Sequence, residues 1–145
     1  MARDANCLFC KIIEGQIPSA KVYEDENVYV FMNLQQTQPG HSLIIPKDHY
    51  ENVFEITDEA LAKVAQAAKK IAIATKQAFN ADGIQMLQNN GSSSWQSVFH
   101  LHQHVIPRYK GDIGPDLYAI WTKGTNATPQ ELEANAAKIR AALEG

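Results

Sequence analysis

His100-Leu101-His102-Gln103-His104, between Gln96-Ser97-Val98-Phe99 and Val105-Ile106-Pro107-Arg108, puts three of the chain's five histidines at every second position. A β-strand repeats its facing every two residues, so an extended segment from Phe99 to Pro107 projects all three rings from one surface. Leu101, Gln103 and Val105 then project from the other. Imidazole is the side chain best suited to nucleophilic, acid–base or metal chemistry near neutral pH. This strand is therefore read as the active centre, ahead of a polar edge strand that happens to be rich in histidine.

Upstream of it, a polar loop Asn90-Gly91-Ser92-Ser93-Ser94 separates it from a strand expected over Ile84 to Asn89. Before that strand, Thr57 can cap a long helix with Asp58 and Glu59 in its first turn. The apolar positions Leu61, Val64, Ala68, Ile71 and Thr75 follow one helical face, and the helix should end near Asn80 to Gly83. Strands are expected over Lys21 to Glu24, Val28 to Asn33 and Ser42 to Pro46, with Gln35 to Gly40 a turn-rich connection. A short helix is expected over Cys7 to Glu14, turning at Gly15-Gln16-Ile17-Pro18. Towards the end, Thr128-Pro129-Gln130-Glu131 combines a capping box with proline at the first helical position, and Leu132, Ile139 and Leu143 supply apolar anchors. The fold class is α+β, an antiparallel sheet with a long helix packed on it.

The chain has 145 residues, 45% hydrophobic and 8% aromatic, which suits one domain over residues 1–145 with its own core. A formal charge of −3 provides no broad basic field, so bulk nucleic-acid binding is disfavoured. No segment reads as a signal peptide or reaches the roughly 20 apolar residues of a membrane span, and the expected location is cytoplasmic. Cys7 and Cys10 form a C-x-x-C pair, which in a reducing compartment points to metal or redox chemistry before a structural disulfide.

The chain resembles the histidine triad (HIT) superfamily, whose motif is His-φ-His-φ-His-φ-φ with φ apolar. Three ordered segments carry the likeness: Cys-Leu-Phe-Cys-Lys-Ile-Ile-Glu-Gly-Gln-Ile-Pro from Cys7, Pro39-Gly40-His41-Ser42-Leu43-Ile44-Ile45-Pro46-Lys47, and Gln96-Ser97-Val98-Phe99 running into the triad. Gln103 departs from the pattern, on the side away from the histidines. The branch it is most similar to is the bacterial Hint type, with a C-terminal helical extension over about residues 124–145 and a HIT-like fold.

The resemblance implies a hydrolase of purine nucleotides that cleaves at the α-phosphorus, as in nucleoside phosphoramidates, through a nucleotidyl-histidine intermediate that releases a nucleoside monophosphate. On this chain His102 is the nucleophile, and a neutral imidazole is competent for that role. His104 and His41 match positions around the phosphate, and Asn89, Gln96 and Ser97 match positions touching phosphate or leaving group. Leu8, Phe9, Ile12, Phe31 and Leu34 match the base pocket, while Asn33 lies where many members carry a ribose-binding aspartate. Without the resemblance these apolar residues read as ordinary core. Trp95 has two readings, a shield on the leaving-group side or a residue packed at a subunit boundary.

Cys7, Cys10, His49 and His100 make a Cys₂His₂ set of the kind zinc accepts tetrahedrally, and some bacterial relatives carry zinc on this set. A closed site of that kind is structural and the chemistry needs no cofactor. A buried reduced cysteine pair and a redox C-x-x-C are the competing readings. Three further functions stay open: dinucleoside polyphosphate hydrolysis, a metal-dependent hydrolase in which His100, His102 and His104 hold the ion directly, and a nucleotide-sensing binding module. By resemblance the chain is expected to form a homodimer through the long helix and an edge strand.

Overall fold

Why the two central strands carry hardly any polar residue becomes clear from what covers them. In the computed structural model, which describes residues 3–112 and 125–145, a five-stranded antiparallel sheet has the order β1-β2-β4-β6-β5. Its strands are β1 (Lys21–Glu24), β2 (Val28–Met32), β4 (Ser42–Pro46), β5 (Gly83–Leu87) and β6 (Gln103–Arg108). Every residue of β2 and β4 is buried, because both sheet faces are covered. Val28, Val30, Met32 and Ile44 pack towards the helices α2 (Asp58–Ala78) and α3 (Pro129–Glu144), together with Val64, Ile71, Leu132 and Ile139. The alternate residues Tyr29, Phe31, Leu43 and Ile45 pack with Phe9, Cys10 and Ile12 of α1 (Leu8–Ile13) on the opposite face.

The helices start where their capping chemistry places them. The Thr57 hydroxyl accepts from the Ala60 amide at 3.1 Å, and Thr128 with Glu131 closes a reciprocal capping box ahead of Pro129. Cys7 caps α1 with its sulfur, which accepts from the Cys10 amide at 3.3 Å, so α1 begins one residue later than expected. The C-terminal helix packs on α2 and contributes Leu132, Ala136 and Ile139 to the main core. No helix among the described residues is long and apolar enough to cross a membrane.

Two expectations need correction. The strand of the histidine triad does not start at Phe99: the ladder begins at Gln103, where Ile44 pairs with Gln103 and Leu43 with His104. The groups that would extend it are engaged elsewhere, since the Leu101 amide donates to the Tyr50 carbonyl at 2.8 Å and the His100 carbonyl accepts from the His102 ring at 2.8 Å. The alternation of facing nevertheless continues upstream, with Leu101 and Val105 in the helix-side core and the rings of His100 and His102 against Phe9 of α1. Within the connection expected to be turn-rich, Gln35–Gln36 forms a short strand, β3, paired with Thr125–Asn126 as β7.

Gly40 is the backbone position on which the entry to β4 turns. Its φ of +104° lies where side chains are strained, and a Cβ there would sit 2.7 Å from the Phe79 ring. Gly40→Ala is expected to lower stability by about 1–3 kcal/mol, read as a fall in Tm; an unchanged Tm contradicts this account of the turn.

Candidate active site

Carbonyls only accept and amide N–H groups only donate, so main-chain partners assign the histidine tautomers. His102 Nδ1 lies 2.8 Å from the His100 carbonyl and must donate to it, which leaves the lone pair of the neutral ring on Nε2. His41 Nδ1 accepts from the Thr37 amide at 3.3 Å, which places its proton on Nε2. That proton is donated to His104 Nδ1 at 2.8 Å, so His104 carries its own N–H on Nε2. One ring thus offers a lone pair, and its neighbour, 5.0 Å away between centroids, offers a donor.

All three rings are buried and held neutral. Desolvation is the largest cause at each: it lowers the His102 pKa against the opposing pull of the His100 carbonyl. It also lowers the pKa of His41 and of His104, with Arg108 adding to the effect at His41 and His41 adding to it at His104. Phe9 supports the His102 ring edge-on, with 5.2 Å between centroids and 87° between planes.

His102 and His104 line a cleft of about 360 Å³. Phe9, Leu43 and Val98 give it apolar wall, and Asn33, Thr37, Asn89 and Ser97 give it polar groups. The mixture suits a ligand with both a flat apolar part and an anionic part.

Behind the cleft, the sulfurs of Cys7 and Cys10 and the Nδ1 atoms of His49 and His100 come together within 4.8 Å of one another. Cys7 Sγ and Cys10 Sγ lie 3.4 and 3.5 Å from His100 Nδ1, and Cys10 Sγ lies 3.5 Å from His49 Nδ1. Ordinary zinc–sulfur and zinc–nitrogen bonds at tetrahedral angles require about 3.6 Å between such donors. His100 Nε2 donates to the Pro46 carbonyl at 2.8 Å, which leaves Nδ1 as the lone-pair atom facing the thiols. Burial pushes the Cys10 thiol up to about 11, so a buried thiolate there calls for a cation. The donor set fits zinc.

A family model described as the HIT domain matches residues 14–111. The chain belongs to the HIT domain family. Protein hit of Bacillus subtilis is 50% identical over 130 residues, covering 88% of each chain. Adenosine 5'-monophosphoramidase HNT1 of Saccharomyces cerevisiae is 45% identical over 105 residues, or 72% of this chain and 64% of that protein. The solved structure of a zinc-bound histidine triad family protein from Mycobacterium smegmatis is 33% identical with a TM-score of 0.82, covering 96% of this chain and 94% of that one.

The HIT fold gathers some of the residues singled out in the sequence and separates others. Phe9, Asn33, Leu34, Asn89, Ser97, His102 and His104 line the cleft. His41 stands behind His104, wholly buried. Leu8 lies on a neighbouring depression with His49 and Phe99, while Ile12 and Phe31 are buried in the α1-side core. Gln96 is buried with its carboxamide committed to main chain, accepting from the Gly91 amide and donating to the Glu51 and Val98 carbonyls, so it braces the loop. Asn33 donates Nδ2 to the Gln35 carbonyl at 2.7 Å.

Residues not singled out also matter. Gln36 ties the turn around His41, donating to the His41 carbonyl at 2.7 Å and accepting from the Gly40 amide at 2.8 Å. Thr37 assigns the His41 tautomer through its amide, a main-chain role with no residue-type signature.

The neutral His41–His104 pair makes stability depend on pH. In the unfolded chain both rings take protons below about 6.5, whereas the folded protein resists protonation to lower pH. The unfolded state therefore binds more protons in that window, and stability falls as pH falls. Denaturant unfolding should show a lower midpoint at about pH 5.5 than at pH 7, in a range above most carboxylate titration; equal midpoints contradict the assignment.

Proposed function

We propose that this HIT protein is a nucleoside phosphoramidase in which His102 is the nucleophile. The observation that carries the reading is the Nε2 lone pair of His102, presented by the His100 carbonyl in a cleft with the His41–His104 donor chain beside it. The name of the yeast relative, an adenosine 5'-monophosphoramidase, supports the substrate class.

His102 Nε2 attacks the α-phosphorus, forming a P–N bond to the ring as the P–N bond to the substrate amine breaks. The departing nitrogen takes a proton from the Ser97 hydroxyl on the exposed rim of the cleft, which solvent restores. The N–H of His104 stabilises charge building on the phosphoryl oxygens. Water then breaks the ring–phosphorus bond, and the products are a nucleoside monophosphate, a free amine and the neutral ring. Phe9 and Leu43 hold the base side, with Asn33 and Leu34 towards the ribose. The sheet edge at β5, where Met86 is half-exposed, is the surface on which a homodimer would pair.

Zinc on Cys7, Cys10, His49 and His100 would supply no chemistry to this reaction; it would cross-link α1 to the segment that leads into β6. Direct coordination of one ion by all three triad histidines is the weaker reading. Their nitrogens serve three different partners: the thiol cluster, the His100 carbonyl and His41.

His102→Ala is expected to lower turnover of adenosine 5'-phosphoramidate by about a thousandfold or more. Brief incubation of the unaltered protein should leave nucleotide label on His102; label elsewhere, or turnover by the variant, contradicts the mechanism. Mass spectrometry of the purified protein should find one zinc per chain, with Cys10→Ser losing both the metal and several degrees of Tm. Protein without metal and a variant with unchanged Tm would remove the zinc assignment.

A further inference from the structure

Among the cleft-wall residues that the phosphate chemistry does not use is Trp95. Trp95 ends a short 3₁₀ turn, Ser92–Ser94, at φ 70° and ψ 21°, inside the left-handed region where a bulky side chain is a steric outlier. It also holds an indole with 56% of its surface in solvent while lining the cleft. The backbone strain opposes folding, and strain of this sort persists where the surroundings over-determine a backbone that function uses.

The loop is braced accordingly. The Asn90 carboxamide oxygen accepts from the Val53 amide at 2.7 Å, and the Ser94 hydroxyl lies 2.7 Å from the Asn90 carbonyl. The Gln96 carboxamide fixes the far end on the Glu51 carbonyl at 2.6 Å. These bonds fix the loop on either side of Trp95, which lines the cleft from the same loop as Ser97. Phe9 and Leu43 already provide apolar wall from α1 and β4, which is the base side in the proposed mechanism. A second flat apolar surface on the Ser97 loop therefore flanks whatever leaves the phosphorus.

We propose that Trp95 forms a leaving-group subsite that favours nucleoside phosphoramidates whose amine carries a planar aromatic group. This rests on the hydrolase reading and adds a substrate class to it. The indole face stacks on the leaving group's ring, and one aromatic pair of this kind is worth roughly three- to tenfold in transition-state binding.

The test compares kcat/KM for two adenosine 5'-phosphoramidates, one of phenethylamine and one of n-butylamine, in wild type, W95F, W95L and W95G. The ratio of aromatic to aliphatic substrate should fall about three- to tenfold in W95L and W95G and be largely kept in W95F. W95G should keep or raise Tm, because glycine adopts φ 70° without strain. If W95G is poorly folded, W95L and W95F carry the comparison. Turnover of neither substrate by wild type overturns the hydrolase reading and the subsite with it. Turnover of both, with a ratio indifferent to residue 95, overturns the subsite alone. A loss of self-association in the variants with no change in ratio also overturns it, and assigns Trp95 to a subunit boundary.

Discussion

The hydrogen bond from the His102 ring to the carbonyl of His100 is the contact on which the rest of the site depends. A neutral imidazole has one lone pair, and whether it faces the cleft or the protein is decided by which nitrogen holds the proton. The acceptor here is main chain, so it cannot rotate away or titrate. Its position is set in turn by the His100 ring, which donates to Pro46 at the end of β4 and faces both thiols with its other nitrogen. A chain of short contacts thus runs from the α1 cap through His100 to the His102 ring. Phe9, which lies between the two cysteines in sequence, packs against His100 and His102 together.

Burial is the second constraint, and it moves the histidine pKa values and that of the Cys10 thiol in opposite directions. Removing water from His41, His102 and His104 favours their uncharged form, which the lone-pair and donor roles require near neutral pH. Removing water from Cys10 favours the thiol, which is the wrong form for holding a metal. The same burial therefore keeps the His41, His102 and His104 rings neutral and disfavours a thiolate at Cys10 unless a cation faces it. Burial lowers the His100 pKa as well, so what separates it from His102, two residues on, is its partners: Nε2 donates to Pro46 and Nδ1 faces the thiols.

Much of this was legible because period and capping are local properties. The two long helices follow from Thr57, from the Thr128–Glu131 box and from one apolar stripe each, and the alternate facing of the triad follows from residue parity. Where β6 begins was not legible: the ladder stops at Gln103 because the Leu101 amide is bound by Tyr50, about fifty residues away in sequence. Parity survived that loss: Leu101 still faces the helix-side core and the His100 and His102 rings still face Phe9, with no partner strand on that segment among the described residues. Gln96 was similarly opaque, for a polar loop residue looks the same whether it meets ligand or, as here, three main-chain groups. Leu8, Ile12 and Phe31 show the limit for apolar residues: they share a neighbourhood with Phe9, but only Phe9 reaches the cleft.

The division between rigid and adaptable parts follows from the same contacts. His41, His102 and His104 are themselves buried in or beside sheet strands, so this end of the cleft has little freedom to rearrange. Asn89, Trp95 and Ser97 come from a single loop that reaches the cleft from outside the sheet and is held by side-chain bonds to main chain. A substitution in that loop can alter what the cleft admits without moving a strand. A substitution at Gly40 or Gln36 shifts His41 and, through it, the donor that His104 presents. Under the phosphoramidase proposed above, diversity of leaving groups is thus physically separable from the phosphoryl chemistry, because Asn89, Trp95 and Ser97 lie outside the ladder that pairs His104 with Leu43.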